Sequence, residues 1–328
     1  MPSKGRSVTN PPIPRQQETA PDGPRCLYVI GMHRSGTSAL TGLLSELGLH
    51  GPVDEYLIPA SRWNERGNRE SATLTRFNNH LLRSLGGSWA APPVLTDGWD
   101  RDPGLDGARV DAQPLLTAAF SDHPFVWKDP RNCLLLPFWR SVISPPNAAL
   151  FVYRDPLEVA GSIKARDSFT LTHGLALWER YVRSAAINLS GLPTFAVRFD
   201  RVLESGTAWR QELVSFLDEV GIPVDPAAVE RAASTVDDSL RHQRSDSLGP
   251  TGLEESQHRV LRILDEVQGT HRPWSPPDLG EEPGWVEDVL TIRLAFEDLR
   301  RQRRRPNSLW DRARVRMQRT VPAPHPGR

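Results

Sequence analysis

The chain has 328 residues, enough for one large α/β core with extensions, and its 38% hydrophobic content marks a folded polypeptide. Its 40 basic and 40 acidic residues cancel, so net charge offers no general attraction for nucleic acid or a membrane, and any anion site must be local. Two cysteines, Cys26 and Cys133, give neither a disulfide framework nor metal-ligand spacing, and no apolar run precedes residue 26; a cytoplasmic protein without signal peptide or transmembrane span is the expectation.

Residues 1–24, with Pro11, Pro12, Pro14, Pro21 and Pro24, read as a disordered arm. One domain is expected over 25–302, followed by a basic, partly disordered tail over 303–328. The domain opens on the apolar run Cys26-Leu27-Tyr28-Val29-Ile30, which turns through Gly31-Met32-His33-Arg34-Ser35-Gly36 into Thr37-Ser38 and an amphipathic segment reaching about Leu47. That is a strand, a phosphate-cradling turn and a helix start, which together aim backbone N–H groups and hydroxyls at one anion. The pattern nearly matches G-x-x-x-x-G-K-[ST], but Thr37 stands where the lysine should be, and the cation, Arg34, lies inside the loop.

A polar segment over 51–69 comes next, and helical spacing resumes at Leu74, Phe77, Leu81 and Leu82. A Pro/Gly/Asp-rich stretch spans 90–107, and loops of that length are commonly functional or mobile. Short apolar strands are predicted at 125–128, 149–153 and 194–199, with helical segments between them, and further helices at 208–220, 225–233, 254–267 and 285–301. Alternation of this kind predicts an α/β fold: a mainly parallel sheet with helices on both faces, decorated by helices in its C-terminal part. Ligands of such sheets bind beyond the carboxyl ends of the strands.

A second junction repeats the logic of the first. Leu150-Phe151-Val152-Tyr153 leads to Arg154-Asp155-Pro156, with Ser162 further along the following segment. Proline suits the first helical turn, where its missing N–H has no intrahelical partner. An arginine at the strand exit and a serine on the helix can converge on a second phosphate through charge-assisted bonds. A third junction, Val126-Trp127-Lys128-Asp129-Pro130-Arg131, holds one of only three lysines, the others being Lys4 and Lys164.

Together these motifs resemble the sulfotransferases that use 3′-phosphoadenosine 5′-phosphosulfate (PAPS). The resemblance covers about residues 26–200, with a weaker continuation to about 245. It is closer to the carbohydrate and tyrosylprotein branches and to bacterial members, and it implies a P-loop-like sulfotransferase fold. By that resemblance, Arg34, Ser35, Gly36, Thr37 and Ser38 hold the 5′-phosphosulfate, and Arg154 and Ser162 hold the 3′-phosphate. Arg241 or Arg244 would complete the nucleotide site, the alternative for that basic cluster being a solvated loop. Lys128 would stabilise the transferring group together with Arg34, so no metal is expected, and the product would be adenosine 3′,5′-bisphosphate.

The acceptor expected is a hydroxyl on a carbohydrate, glycolipid or small metabolite, with no nucleic-acid partner. Its proton needs a base. Glu70 resembles the glutamate that follows a Gly-aromatic-aromatic segment in bacterial relatives, although Asn68 and Arg69 stand here where aromatics are commoner. Glu65 and His33 are the other candidates, and Glu70 could instead be a helix-start carboxylate. Trp63, Trp89 and Trp99 are candidate walls of the acceptor pocket, although tryptophan is more often core filling. Lys128 could pair with Asp129 or Asp155, and Arg131 could be a surface residue or a supporting partner. The alternatives to sulfuryl transfer are a P-loop kinase or NTPase with a drifted loop, and a nucleotide-binding relative without catalysis.

Overall fold

Five consecutive apolar residues, Cys26–Ile30, form β1, and every one is buried, as a strand covered on both faces requires. The computed structural model of the chain describes residues 26–53, 57–58, 69–120, 124–204, 208–225, 227–228 and 254–304. β1 pairs in parallel with β2 (Phe125–Lys128) on one side and β3 (Asn147–Tyr153) on the other, and β3 pairs in parallel with β4 (Thr194–Arg198). A three-residue strand, β5 (Gly269–His271), adds an antiparallel edge, giving the order β2-β1-β3-β4-β5. Gly-Thr-His is too short to carry a period, which is why sequence reading passes over it.

The described helices are α1 (Thr37–Glu46), α2 (Ala72–Ser84), α3 (Asp106–Ala119), α4 (Asn132–Val142), α5 (Pro156–Asp167) and α6 (Leu171–Asn188), then α7 (Phe199–Leu203), α8 (Ala208–Glu219), α9 (Glu255–Glu266) and α10 (Gly284–Arg304). Alternate residues of β1 serve opposite faces. Cys26, Tyr28 and Ile30 join a core with residues of α2, α3, α4, α6, α9 and α10, while Leu27 and Val29 pack with α1 and α8. The expected sheet with helices on both faces is what forms.

Two sequence expectations are refined. The stretch over 90–107 holds two short 3₁₀ turns, Trp99–Arg101 and Pro103–Leu105, which lead directly into α3. β3 begins at Asn147, two residues before the expected start, and there the Asn147 side chain accepts a hydrogen bond from the Cys26 backbone N–H at 3.2 Å. The arm over 1–24, most of the 225–233 segment and the tail beyond residue 304 lie outside the described residues.

Four parallel strands end on one edge, so the exits after Ile30, Lys128, Tyr153 and Arg198 are neighbours. β1 and β3 run so close there that a Cβ on Gly31 would stand 2.4 Å from the Val152 carbonyl oxygen. α5 and α6 meet with similar intimacy, since a Cβ on Gly174 would lie 2.7 Å from the Ala160 Cα. Backbone has nowhere to retreat in such a contact. Gly174→Leu is therefore expected to lower unfolding free energy by about 1–3 kcal/mol, the usual scale of overpacking, measured by denaturant titration, whereas the open position Gly107 should accept alanine without loss.

Candidate functional site

The loop after β1 is built for an anion. Arg34 (φ 70°) and Gly36 (φ 94°) both adopt left-handed backbone, and Gly36 caps α1 without any side-chain hydrogen bond to the helix N-terminus. Only glycine fits at 36, because a Cβ would stand 2.0 Å from the Phe199 ring. The Ser35 hydroxyl is fully buried and has no partner, although Ser35 N–H donates to the Met32 carbonyl at 3.1 Å. A buried hydroxyl left without a partner costs about 1–3 kcal/mol. An oxyanion seated on the α1 N-terminus would satisfy it, and the residues present fit such a group.

The second junction folds against the first. Asp155 caps α5 by accepting from Leu157 N–H at 2.9 Å and Glu158 N–H at 3.2 Å, with Pro156 opening the helix. This start places Ser162 where Arg34 Nε donates to its hydroxyl at 2.8 Å. Arg154 donates from Nε to Glu158 at 2.7 Å and from Nη1 to the Arg34 carbonyl at 3.3 Å, and its guanidinium lies 5.1 Å over the Phe199 ring. The two motifs, about 120 residues apart in sequence, thus touch directly.

The third junction supplies the other side. Lys128, 2% exposed, donates to Glu70 Oε1 at 2.6 Å, and Arg131 Nη1 stands 3.8 Å from the other carboxylate oxygen. Glu70 precedes the α2 cap, Ser71, yet its side chain serves the end of β2 and not the helix start. Neither Asp129 nor Asp155 is the lysine's partner. Asp129 accepts from Arg131, Asn78 and Thr75; burial works against its ionisation, but Arg131 and these hydrogen bonds hold the carboxyl below its usual range. Arg131 is buried, so it is a supporting partner and not a surface residue.

His33 lies between the two halves, with Trp89 at 5.0 Å and Tyr181 at 5.7 Å between ring centroids. Burial, followed by the charges of Arg131, Arg166, Lys128 and Arg34, pushes its imidazole well below the usual histidine range. Its Nε2 is buried without a partner. Arg34 is likewise pushed down to about 10, by burial first and then by Arg166 and Arg154.

Of the expected site residues, Arg34, Ser35, Gly36, Thr37, Arg154, Ser162, Lys128 and Glu70 stand along one sheet edge, with Ser38 in the first turn of α1. Trp89 joins them through His33, whereas Trp99 lines a different cavity of about 530 Å³ with Arg180, Arg183 and Glu282, to which no residue of the loop contributes. Arg241, Arg244, Glu65 and Trp63 lie outside the described residues. Sequence reading missed Glu158, Arg166 and Phe199. The first two were legible as helix neighbours, four residues beyond Arg154 and Ser162 respectively; Phe199 carried no signal, because its contact with Gly36 is tertiary.

No family model matches this chain, and no curated protein matches it. Among the solved structures similar to it are two sulfotransferase domains. One is a sulfotransferase domain from the curacin biosynthetic pathway, 15% identical, covering 74% of this chain and 98% of that domain, with a TM-score of 0.47. The other is a sulfotransferase domain from the olefin synthase of Synechococcus PCC 7002, 16% identical, covering 77% of this chain and 98% of that domain, with a TM-score of 0.40.

The state of His33 has a consequence for stability. The unfolded chain takes up a proton on this residue below about pH 6.5, while the folded chain leaves it neutral until far lower pH. The stability it contributes is therefore full above pH 6.5 and lost as pH falls, at up to about 1.4 kcal/mol per pH unit. His33→Asn should flatten the acid limb of a stability curve between pH 8 and 5 by up to that slope; parallel curves for wild type and variant would show that His33 protonates as readily folded as unfolded.

Proposed function

We propose that this chain transfers a sulfuryl group from PAPS to a hydroxyl acceptor. The observation that carries the reading is the hydrogen bond from Arg34 to Ser162, which joins the loop suited to a 5′-phosphosulfate to the junction suited to a 3′-phosphate. A kinase loop would ordinarily place a lysine at position 37, and here the cations serving the anions are arginines. PAPS fits the residues present: left-handed backbone and the α1 N-terminus for the sulfated end, and the Arg154–Ser162 pair for the extra phosphate.

In the proposed reaction the acceptor oxygen attacks sulfur, forming the new O–S bond, while the bond from sulfur to the bridging phosphate oxygen breaks. The hydroxyl proton goes to Glu70, and the electron pair stays on the 5′-phosphate of adenosine 3′,5′-bisphosphate. Lys128 and Arg34 stabilise that developing charge. The pairing of Lys128 with Glu70 links both events: protonation of Glu70 removes the lysine's counter-charge as the leaving oxygen becomes anionic. Carbohydrates, glycolipids and small hydroxylated metabolites are the acceptor classes proposed.

Titration calorimetry with adenosine 3′,5′-bisphosphate and ATP tests the donor. Tighter binding of the bisphosphate is expected, and a preference for ATP would refute the reading. Arg154→Ala is a poor probe, because it also removes the guanidinium that pairs with the fully buried Glu158. The double change Arg154→Gln with Glu158→Gln removes both charges, and it should lose about 1.5–3 kcal/mol of bisphosphate affinity with the fold retained. Glu70→Gln leaves a carbonyl oxygen for Lys128 to donate to but removes its counter-charge, so it should lower unfolding free energy. In the variant shown to be folded, bisphosphate affinity should be kept and turnover should fall by about 10²–10⁴, followed as bisphosphate release with an acceptor panel. Unchanged turnover would remove Glu70 from the base role.

A further inference from the structure

Arg69 stands directly before the proposed base, and its backbone is unusual for its side chain. Among the described residues three besides glycine have a positive φ: Arg34 at 70°, Arg69 at 53° and Ser168 at 57°. Arg34 belongs to the loop suited to an anion, and Ser168 ends α5 as its C-cap, a place where left-handed backbone is common. Arg69 has neither setting. A Cβ makes this conformation costly, and glycine would adopt it freely, so the arginine is accounted for by its side chain.

That side chain lies along α1. Arg69 Nη1 donates to the Ser45 hydroxyl at 2.9 Å, and a Cβ on Gly42 would stand 3.8 Å from Arg69 Nε. Ser45 in turn donates to the Thr41 carbonyl, one turn back, at 3.0 Å. α1 has no basic residue in its own last turn, so the Arg69 guanidinium also supplies the cation that a helix C-terminus favours. The helix that begins at the anion-suited loop therefore grips, near its other end, the residue before Glu70. Contacts on the far side complete the hold. The Glu70 carbonyl accepts from Ile58 N–H at 2.9 Å, while Ser71 bridges to Leu57 and caps α2 by accepting from Leu74 N–H at 3.3 Å. Between these two anchorages the Glu70 carboxylate meets Lys128 Nζ at 2.6 Å.

We propose that Arg69 is a positioning residue: its grip on Ser45 holds the backbone turn that directs the Glu70 carboxylate onto Lys128. A guanidinium that served only the α1 C-terminus would leave the Lys128–Glu70 contact indifferent to residue 69. The effect on turnover rests on the reading of Glu70 as the base, whereas the placement of the carboxylate does not, and the two are tested separately.

Double-mutant cycles in melting temperature test the placement. Arg69→Gly removes the grip while accepting the backbone, Ser45→Ala removes the acceptor of the grip on a different element, and Glu70→Gln removes the charge being placed. Arg69→Gly and Ser45→Ala should each lower the melting temperature by about 2 °C or more further in the wild-type background than in Glu70→Gln. Additive shifts in both cycles would overturn the proposal and leave Arg69 as a helix-end cation. Turnover, followed as bisphosphate release, tests the consequence. In Arg69→Gly kcat should fall about tenfold or more while bisphosphate affinity stays within about twofold of wild type, and Arg69→Lys, which keeps one donor for Ser45, should be faster than Arg69→Gly. Unchanged kcat, or bisphosphate affinity that falls in step with kcat, would overturn the positioning role. Coupled cycles in a chain that turns over no acceptor would fault the sulfuryl-transfer reading and support the placement.

Discussion

A lysine buried to 2% exposure at the end of a central strand cannot stand alone, and much of the candidate site follows from how Lys128 is answered. Its counter-ion, Glu70, comes from the entry to α2, so the pair ties that helix start to the exit of β2. A buried ion pair adds little net stability, because desolvation offsets most of the Coulomb gain, but breaking it leaves a charge in the interior at a cost of about 3–5 kcal/mol. Specificity of arrangement is therefore the pair's main product. Arg131 and Asp129 form a second tier behind it, with Asn78 and Thr75 completing the acceptors of the aspartate. The carboxylate proposed to accept the proton and the ammonium proposed to answer the developing anion are in this way held in one buried contact.

The part of the candidate site around the loop after β1 is organised by a different constraint, the approach of backbone to backbone. Gly31 lies against Val152 and Gly36 against Phe199, so the loop can only be as close to β3 and β4 as glycine allows. That closeness lets Arg34 reach Ser162 and lets Arg154 reach the Arg34 carbonyl. Glu158 then holds the Arg154 guanidinium from the next turn of α5. Burial first, and then the nearby charges of Arg131, Arg166, Lys128 and Arg34, hold the His33 imidazole well below the usual histidine range.

The aromatic wall joins these halves to the outer helices. His33 meets Trp89, Trp89 stacks on Phe169, and Phe169 stacks on His173 at the start of α6 and carries Arg293 of α10 on its face. Stacked rings thus connect the strand exits to the helix whose far half turns apolar side chains outward.

Much was legible in the residues themselves. An apolar run of five, a glycine-bounded turn and an amphipathic helix made the first junction readable, and Arg-Asp-Pro after a second apolar run marked the other, because strand, turn and helix-start preferences act over a few residues. Alternation of strands and helices likewise implied a parallel sheet, whose geometry brings the exits to one edge. Only the folded chain could decide which charges face each other. Lys128 had carboxylates one residue away and 27 residues away in Asp129 and Asp155, and it chose one 58 residues distant. Pairing of that kind depends on which side chains meet after the sheet has closed, as do the Phe199 ring over Gly36, the cations around His33 and the half of α10 left outside the core. Local order follows from local preference, and the electrostatics of a buried site follow from contacts that no spacing encodes.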